Sequence, residues 1–195
     1  MKTPQNVFYA HGFGKAAPWV DLANSEEWDG FGKRTDHLGD PEWLAAFQKH
    51  WNLAPFSHGK SSRLQLLKLR EVLRRAAQKL AAGHGLGAGE ISKLNHVLNV
   101  PVRQRLVQRQ NGWGAEVVPV KRDGNWALAE IAASLTQTLA GQDAQRVRIC
   151  ANVDCRWIFH DPTKGGTKRW CNDRTCGNRA RVRRARAALA QKRSA

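Results

Sequence analysis

A chain of 195 residues, 42 % of them hydrophobic, can hold one domain of ordinary size plus a small appendage. Lys and Arg number 32 against 16 acidic residues, a formal charge of +16, which points to a polyanionic partner. No run approaches the roughly 18 apolar residues of a membrane span. Met1–Gly14 has no apolar leader, so a cytoplasmic protein with no membrane partner is expected.

The first forty residues, rich in glycine and aromatics, show no sustained period and predict irregular structure with short strands, one around Trp19–Leu22. Asp40-Pro41-Glu42 opens a helix with an N-cap, a first-turn proline and an acid at the positive end. Trp43, Leu44, Phe47 and Trp51 then fall at helical spacing as core candidates. A glycine-containing break at 57–60 precedes a helix capped by Ser61 or Ser62 and running to about Ala82. Its apolar stripe is Leu66, Leu69, Leu73, Ala76, Ala77 and Leu80, and Arg63, Arg70 and Arg74 read as a solvated outer face. Four glycines between Gly83 and Gly89 end it. Glu90–Asn99 predicts a short helix with Ile91, Leu94, Val97 and Leu98 inward. Two extended runs around Asn111-Gly112, 102–110 and 113–121, predict a hairpin. A helix capped at Asn125 follows to Leu139, burying Ala129, Ala132, Ala133, Leu135 and Leu139.

From Arg146 to the end there are 14 Lys/Arg and 3 Asp, so +11 of the charge sits in the last quarter of the chain. The four cysteines fall there too, as Cys150-x4-Cys155 and Cys171-x4-Cys176 separated by fifteen residues. Two close pairs around a hairpin-sized insertion suit one structural zinc ion held by four thiolates, with no position open for a catalytic water. Two disulfides or an iron–sulfur cluster are the competing uses. Between the pairs, 157–159 and 168–170 read as strands around a turn, and Asp173 as the cap of a helix with Cys176 in its first turn. A knuckle, a hairpin and a ligand-bearing helix describe a treble clef. Trp157 and Trp170 either cover the metal or stack on bases.

The terminal helix carries Val182, Ala185 and Leu189 on one stripe and Arg179, Arg183 and Arg186 on another, widened by Arg181 and Arg184. Seven basic residues from Arg179 to Arg193 meet no acid, and the guanidinium fork suits phosphate and guanine edges. Arg179, a turn from the metal, either contacts bases or braces the finger through backbone carbonyls.

Cys176-Gly177-Asn178-Arg179 behind Trp170-Cys171, with Cys150-Ala151-x3-Cys155 and Phe159-His160-Asp161, resembles the CGNR zinc-finger family over residues 148–187. Asp173 departs from that pattern, where an apolar residue is expected. The resemblance implies a treble-clef finger and DNA binding. Val20–Ser25 and Leu38–Leu44 are similar to the opening of the ABATE domain, regarded as a stress-induced transcription regulator, which commonly precedes that finger. The Asn24-Ser25 pair is similar to an Asn-Thr pair there, which marks both residues as candidates for contact with an unidentified small-molecule ligand, although Asn24 as a turn cap explains it as well.

The expectation is therefore an α+β domain over 1–144, with helices and a small antiparallel sheet, followed by a zinc finger with a basic helix over 145–195. Its function is zinc-dependent DNA binding in transcription regulation, with an N-terminal domain for ligand sensing or oligomerisation. The alternative is an RNA-binding or protein-interaction module. Seven histidines are scattered without triad or metal spacing and the cysteines are committed to metal, so no catalytic residues are assigned and no enzyme is expected.

Overall fold

The computed structural model describes residues 13, 17–56, 59–141 and 143–193. Most of the glycine-rich opening, and positions 57 and 58 of the expected break, lie outside them. Six α-helices and three two-stranded antiparallel sheets are described.

Helix α1 (Pro18–Ala23) stands where a strand is expected. Pro18 starts it, and Trp19 through Ala23 are all buried, so no polar face interrupts the run to reveal a 3.6-residue period. Its polar groups are satisfied internally: Trp51 Nε1 donates to Asp21 at 2.8 Å, and Trp19 Nε1 donates to Thr138 Oγ1 at 2.9 Å. Strands β1 (Glu26–Trp28) and β2 (Arg34–Asp36) form a short ribbon. Its turn is held by Asp29 Oδ1, which accepts from the Phe31 and Lys33 amides.

Helix α2 (Pro41–Trp51) begins as expected, with the Asp40 carboxylate accepting from the Glu42 amide, and ends at Asn52 in the left-handed region. Helix α3 (Lys60–Ala81) has the expected stripe buried, although its cap is Gly59 with no side-chain bond. Helix α4 (Ala88–Leu98) buries Leu94 and leaves Ile91 exposed. The hairpin β3 (Val102–Arg109) and β4 (Gly112–Pro119) forms as expected, but its two turn residues are Gln110 and Asn111, and Gly112, at φ 124°, already opens β4 opposite Arg109. Helix α5 (Gly124–Ala140) is capped by Asp123, two residues before the expected Asn125. Its buried side includes Leu128 and Ile131 besides Ala129, Ala132 and Leu135.

The core centres on α3, which packs on α1, α4, α5 and strand β5 (Val147–Ile149). Trp19, Leu22, Trp43, Phe47, Leu73, Ile131 and Leu135 are sealed within it. The same apolar cluster continues into Val147, Trp157, Ile158 and the cysteines, so the helical body that precedes β5, which carries the cysteine module and is called the carrier below, shares one core with that module.

Of the three arginines expected on a solvated face of α3, Arg63 is exposed, but Arg70 and Arg74 are turned into the protein. The buried Arg70 guanidinium grips Asp36 with two bonds, 2.7 and 3.0 Å, and donates to Ser25 Oγ at 3.2 Å. Arg74 Nη1 donates to the Ala23 carbonyl at 2.9 Å. Partial burial pushes the Asp36 carboxyl up, but the Arg70 bonds and charge outweigh it and hold the group below its ordinary value. A depressed folded pKa makes this contribution complete above the unfolded value of about 3.9 and lost as pH falls through the folded value. Arg70→Met is expected to cost about 2–3 kcal/mol at pH 7, toward the low end for a broken buried pair because Asp36 keeps some solvent. Urea titrations at pH 7 and pH 3 check it: the difference between variant and parent should shrink in acid.

Candidate metal centre and basic helix

Strand β5 delivers Cys150, and β6 (Ile158–His160) returns antiparallel beside it. Between them the chain makes a tight knuckle: the Cys150 amide donates to the Trp157 carbonyl, the Cys155 amide donates to the Asn152 carbonyl, and Arg156 takes a left-handed φ of 55°. This pairing replaces the expected hairpin of 157–159 with 168–170. The 168–170 segment forms no strand; the Ala151 amide donates to the Arg169 carbonyl as its backbone link to the knuckle. A buried carboxylate shapes the connection. Asp161 accepts from the Thr163 amide and hydroxyl and from the Lys168 amide, closing the loop that brings Cys171 back.

Cys176 lies in a π-helical turn (Asp173–Gly177) that leads into α6 (Asn178–Arg193). Asn172, not Asp173, is its cap, accepting from the Arg174 and Thr175 amides. Trp157 is buried and Trp170 half-buried against the shared core, which favours the metal-covering role over base stacking.

The four sulfurs all lie within 4.8 Å of one another. Cys155 and Cys171 are 3.6 Å apart, and Cys171 and Cys176 3.8 Å. A disulfide needs about 2.05 Å, so these are not bonded pairs. Four sulfurs at about 2.3 Å from a zinc ion in a regular tetrahedron sit about 3.8 Å apart, so the donor set fits zinc. Without a cation the group can hold little charge. Hydrogen bonds from Cys155 and Cys171 pull Cys150 down to about 2, while Cys155, donating to Cys150, is pushed up to about 12. Cys171 is pushed up as well, by its bonds to Cys150 and Cys155. Four thiolates can coexist here only around a metal cation.

Two residues that the sequence reading passed over tie this centre to the carrier. Asn152, buried, directs Nδ2 toward the Cys176 sulfur at 3.8 Å and the Gly30 carbonyl at 3.3 Å. Gly30, at φ 83° in the β1–β2 turn, donates its amide to the Asp154 carbonyl at 3.1 Å. A Cβ at Gly30 would lie 2.0 Å from Arg179 Nη1, so only glycine admits that close approach. The Arg156 guanidinium covers the Trp28 ring at 4.4 Å. A lone glycine or asparagine carries no sequence signal for such a long-range contact.

The arginines of α6 divide by environment. Arg179 donates to the Asp29 carbonyl at 3.0 Å and lies over the Phe31 ring at 3.9 Å. Arg181 donates to the Asp173 carbonyl, and Arg183 reaches Asp154 at 3.4 Å across solvent. Arg184 and Arg186 are exposed and have no protein partner among the described residues. Beyond Ala180 the helix is exposed on every side, so the stripe of Val182, Ala185 and Leu189 packs on nothing described.

Asn24 and Ser25, the expected ligand contacts, are sealed and fully engaged inside the protein. Asn24 Nδ2 donates to the Ile158 carbonyl at 2.7 Å, and the Ile158 amide donates to Asn24 Oδ1 at 2.9 Å. The Ser25 hydroxyl donates to the Leu22 carbonyl and accepts from Arg70. A cavity of about 1120 Å³ opens elsewhere in the carrier, between α3, α4, α5 and the base of the hairpin, lined by Leu69, Val72, Val97, Pro101 and Trp126. No helix among the described residues is long and apolar enough to cross a membrane.

Comparison with known families follows this division of the chain. The CGNR zinc-finger model matches residues 146–188, and the ABATE model, described as "Putative stress-induced transcription regulator", matches residues 16–142. No curated protein matches the chain. The arrangement of carrier and four-cysteine finger is thus that of the family, and the chain belongs to the ABATE proteins that end in a CGNR zinc finger.

Proposed function

We propose that this protein is a zinc-dependent DNA-binding regulator of transcription in which α6 contacts the nucleic acid. Cys150, Cys155, Cys171 and Cys176 hold one zinc ion in a treble-clef arrangement, which fixes the start of α6. Residues 1–144 act as the carrier and 145–195 as the finger. The observation that carries the reading is the acid-free basic helix standing clear of the body, with Arg184 and Arg186 unengaged. Arginines with no internal partner keep their donors for phosphate. Arg179 and Arg181 position the helix instead, since each guanidinium is anchored by a bond to a backbone carbonyl. Arg183 sits between the two groups, because an exposed pair with Asp154 is readily exchanged for a phosphate. Any small-molecule sensing by the carrier belongs to the cavity beside Trp126, since Asn24 and Ser25 have no free polar atom to offer.

Binding of zinc-loaded full-length protein to duplex DNA across a salt series tests this. If about four to six phosphates are neutralised, log affinity falls with log salt at about −0.9 per phosphate. Arg184→Ala with Arg186→Ala should weaken binding to every sequence and flatten the slope by about two units. An unchanged slope removes α6 as the contact surface. Stronger competition by structured RNA than by duplex DNA at fixed salt would favour the RNA-binding alternative.

A further inference from the structure

The β3–β4 hairpin extends eight residues per strand and makes extensive contact only within itself among the described elements. Isolated two-stranded hairpins are marginal in water, so a long one without support calls for a partner. Its two faces differ sharply. In the observed register Arg103, Arg105 and Arg109 share one face with Val107, Glu116 and Val118. Arg105 pairs with Glu116 at 2.7 Å, and Arg109 lies across Gly114, where an added Cβ would meet its Nε at 2.9 Å. Val107 and Val118 are half-buried on that face, as expected where arginine stems cover apolar surface.

The opposite face has no such cover. It presents Val102, Leu106, Trp113, Ala115 and Val117, with only Gln104 and Gln108 as polar groups and no charge. Leu106 and Trp113 are each 71 % exposed and Val117 56 %. A contiguous uncharged apolar face with an aromatic at its tip has the composition of an interface core.

We propose that this face packs against the same face of a second copy of the chain, making the hairpin a self-association arm. Charge decides the occupant. Each copy carries +16, so approach through most of the surface is repulsive, and this face is uncharged. A nucleic acid would be drawn to the arginine face instead, and an acidic partner finds no cation here to pair with. A two-fold axis through the face brings identical residues together, the self-complementary contact that closes a dimer. At about 3.3 Å per residue the face is about 26 Å long and two strands wide, a small interface of the weak, reversible class.

Sedimentation equilibrium of nuclease-treated, zinc-loaded full-length protein at high salt tests the proposal from about 1 to 100 μM. The expected result is a reversible species of twice the 21.8 kDa chain mass. Leu106→Lys with Val117→Lys should raise the dissociation constant at least about 100-fold by setting like charges face to face. A wild-type chain that stays monomeric throughout, or a dimer that the double variant does not disturb, would overturn the proposal. So would a dimer that disappears on nuclease treatment, which would mean nucleic acid bridges the copies. If circular dichroism shows the lysine variant to be misfolded, single-cysteine variants decide. Ala115→Cys, near the centre of the uncharged face, should form an intermolecular disulfide under mild oxidation, while Glu116→Cys on the arginine face should not; the reverse pattern, or no crosslink from either, also sinks it.

Discussion

Cys171→Ala is expected to abolish stoichiometric zinc binding and to melt the finger while the carrier stays folded. The finger has little core of its own, and zinc supplies about 10–16 kcal/mol to comparable peptide modules. Cys171 stands between Cys155 and Cys176, at 3.6 and 3.8 Å, so its loss detaches the knuckle from the turn that starts α6. The carrier keeps Trp19, Trp43, Phe47, Leu73, Ile131 and Leu135, which bury one another. Amide exchange should therefore show protection lost across 150–178 and along α6, and retained in α3 and α5. Elemental analysis should show zinc falling from one per chain in the parent. Equimolar zinc in the variant would rule out the four-thiolate site. Lost protection in α3 and α5 would mean that carrier and finger fold as one unit.

Asn24→Ala is expected to destabilise the protein by about 2–4 kcal/mol. Asn24 pairs with Ile158 through both amide atoms, much as another strand would along the outer edge of β6. Removing it orphans a buried backbone N–H and C=O together, at about 1–3 kcal/mol each before relaxation, and leaves a void. A fall in the denaturant midpoint at constant slope measures the effect. Unchanged stability would return Asn24 to the role of ligand contact.

These two sites show where sequence reading reaches and where it stops. The cysteines are legible because metal spacing is local, and the hairpin because Asn111-Gly112 marks a reversal between two extended runs, although the turn itself falls one residue earlier, at Gln110-Asn111. Helix α2 was readable from Asp40-Pro41-Glu42, and α3 from its stripe. Helix α1 was not, because a six-residue helix buried on all sides shows no periodicity. Arg70 looks solvated on a helical wheel, since its partner Asp36 lies 34 residues away in a ribbon that no local rule places beside it. Asn24 bridges 134 residues for the same reason. The pairing of β5 with β6 was missed because 168–170 offered an equally suitable strand nearer in sequence. On α6 the apolar stripe of Val182, Ala185 and Leu189 is legible as a pattern, but a pattern alone does not say what covers it, and nothing described lies opposite it.

The ribbon turn at Asp29–Phe31 has an implication for how freely such fingers can be moved between proteins. Gly30 receives Asn152, which also faces a metal-ligand sulfur, and the neighbouring residues receive Arg179 of the Cys-Gly-Asn-Arg run. Part of the scaffold that aims the basic helix is therefore encoded more than a hundred residues upstream of it. Residues 146–188 transplanted alone would carry their metal ligands but leave the Arg179 donor and the Asn152 amide without their receptor. In this protein the finger is not a cassette: its axis is a joint property of two segments, and a displacement of the ribbon in the carrier is also a displacement of the helix it steadies.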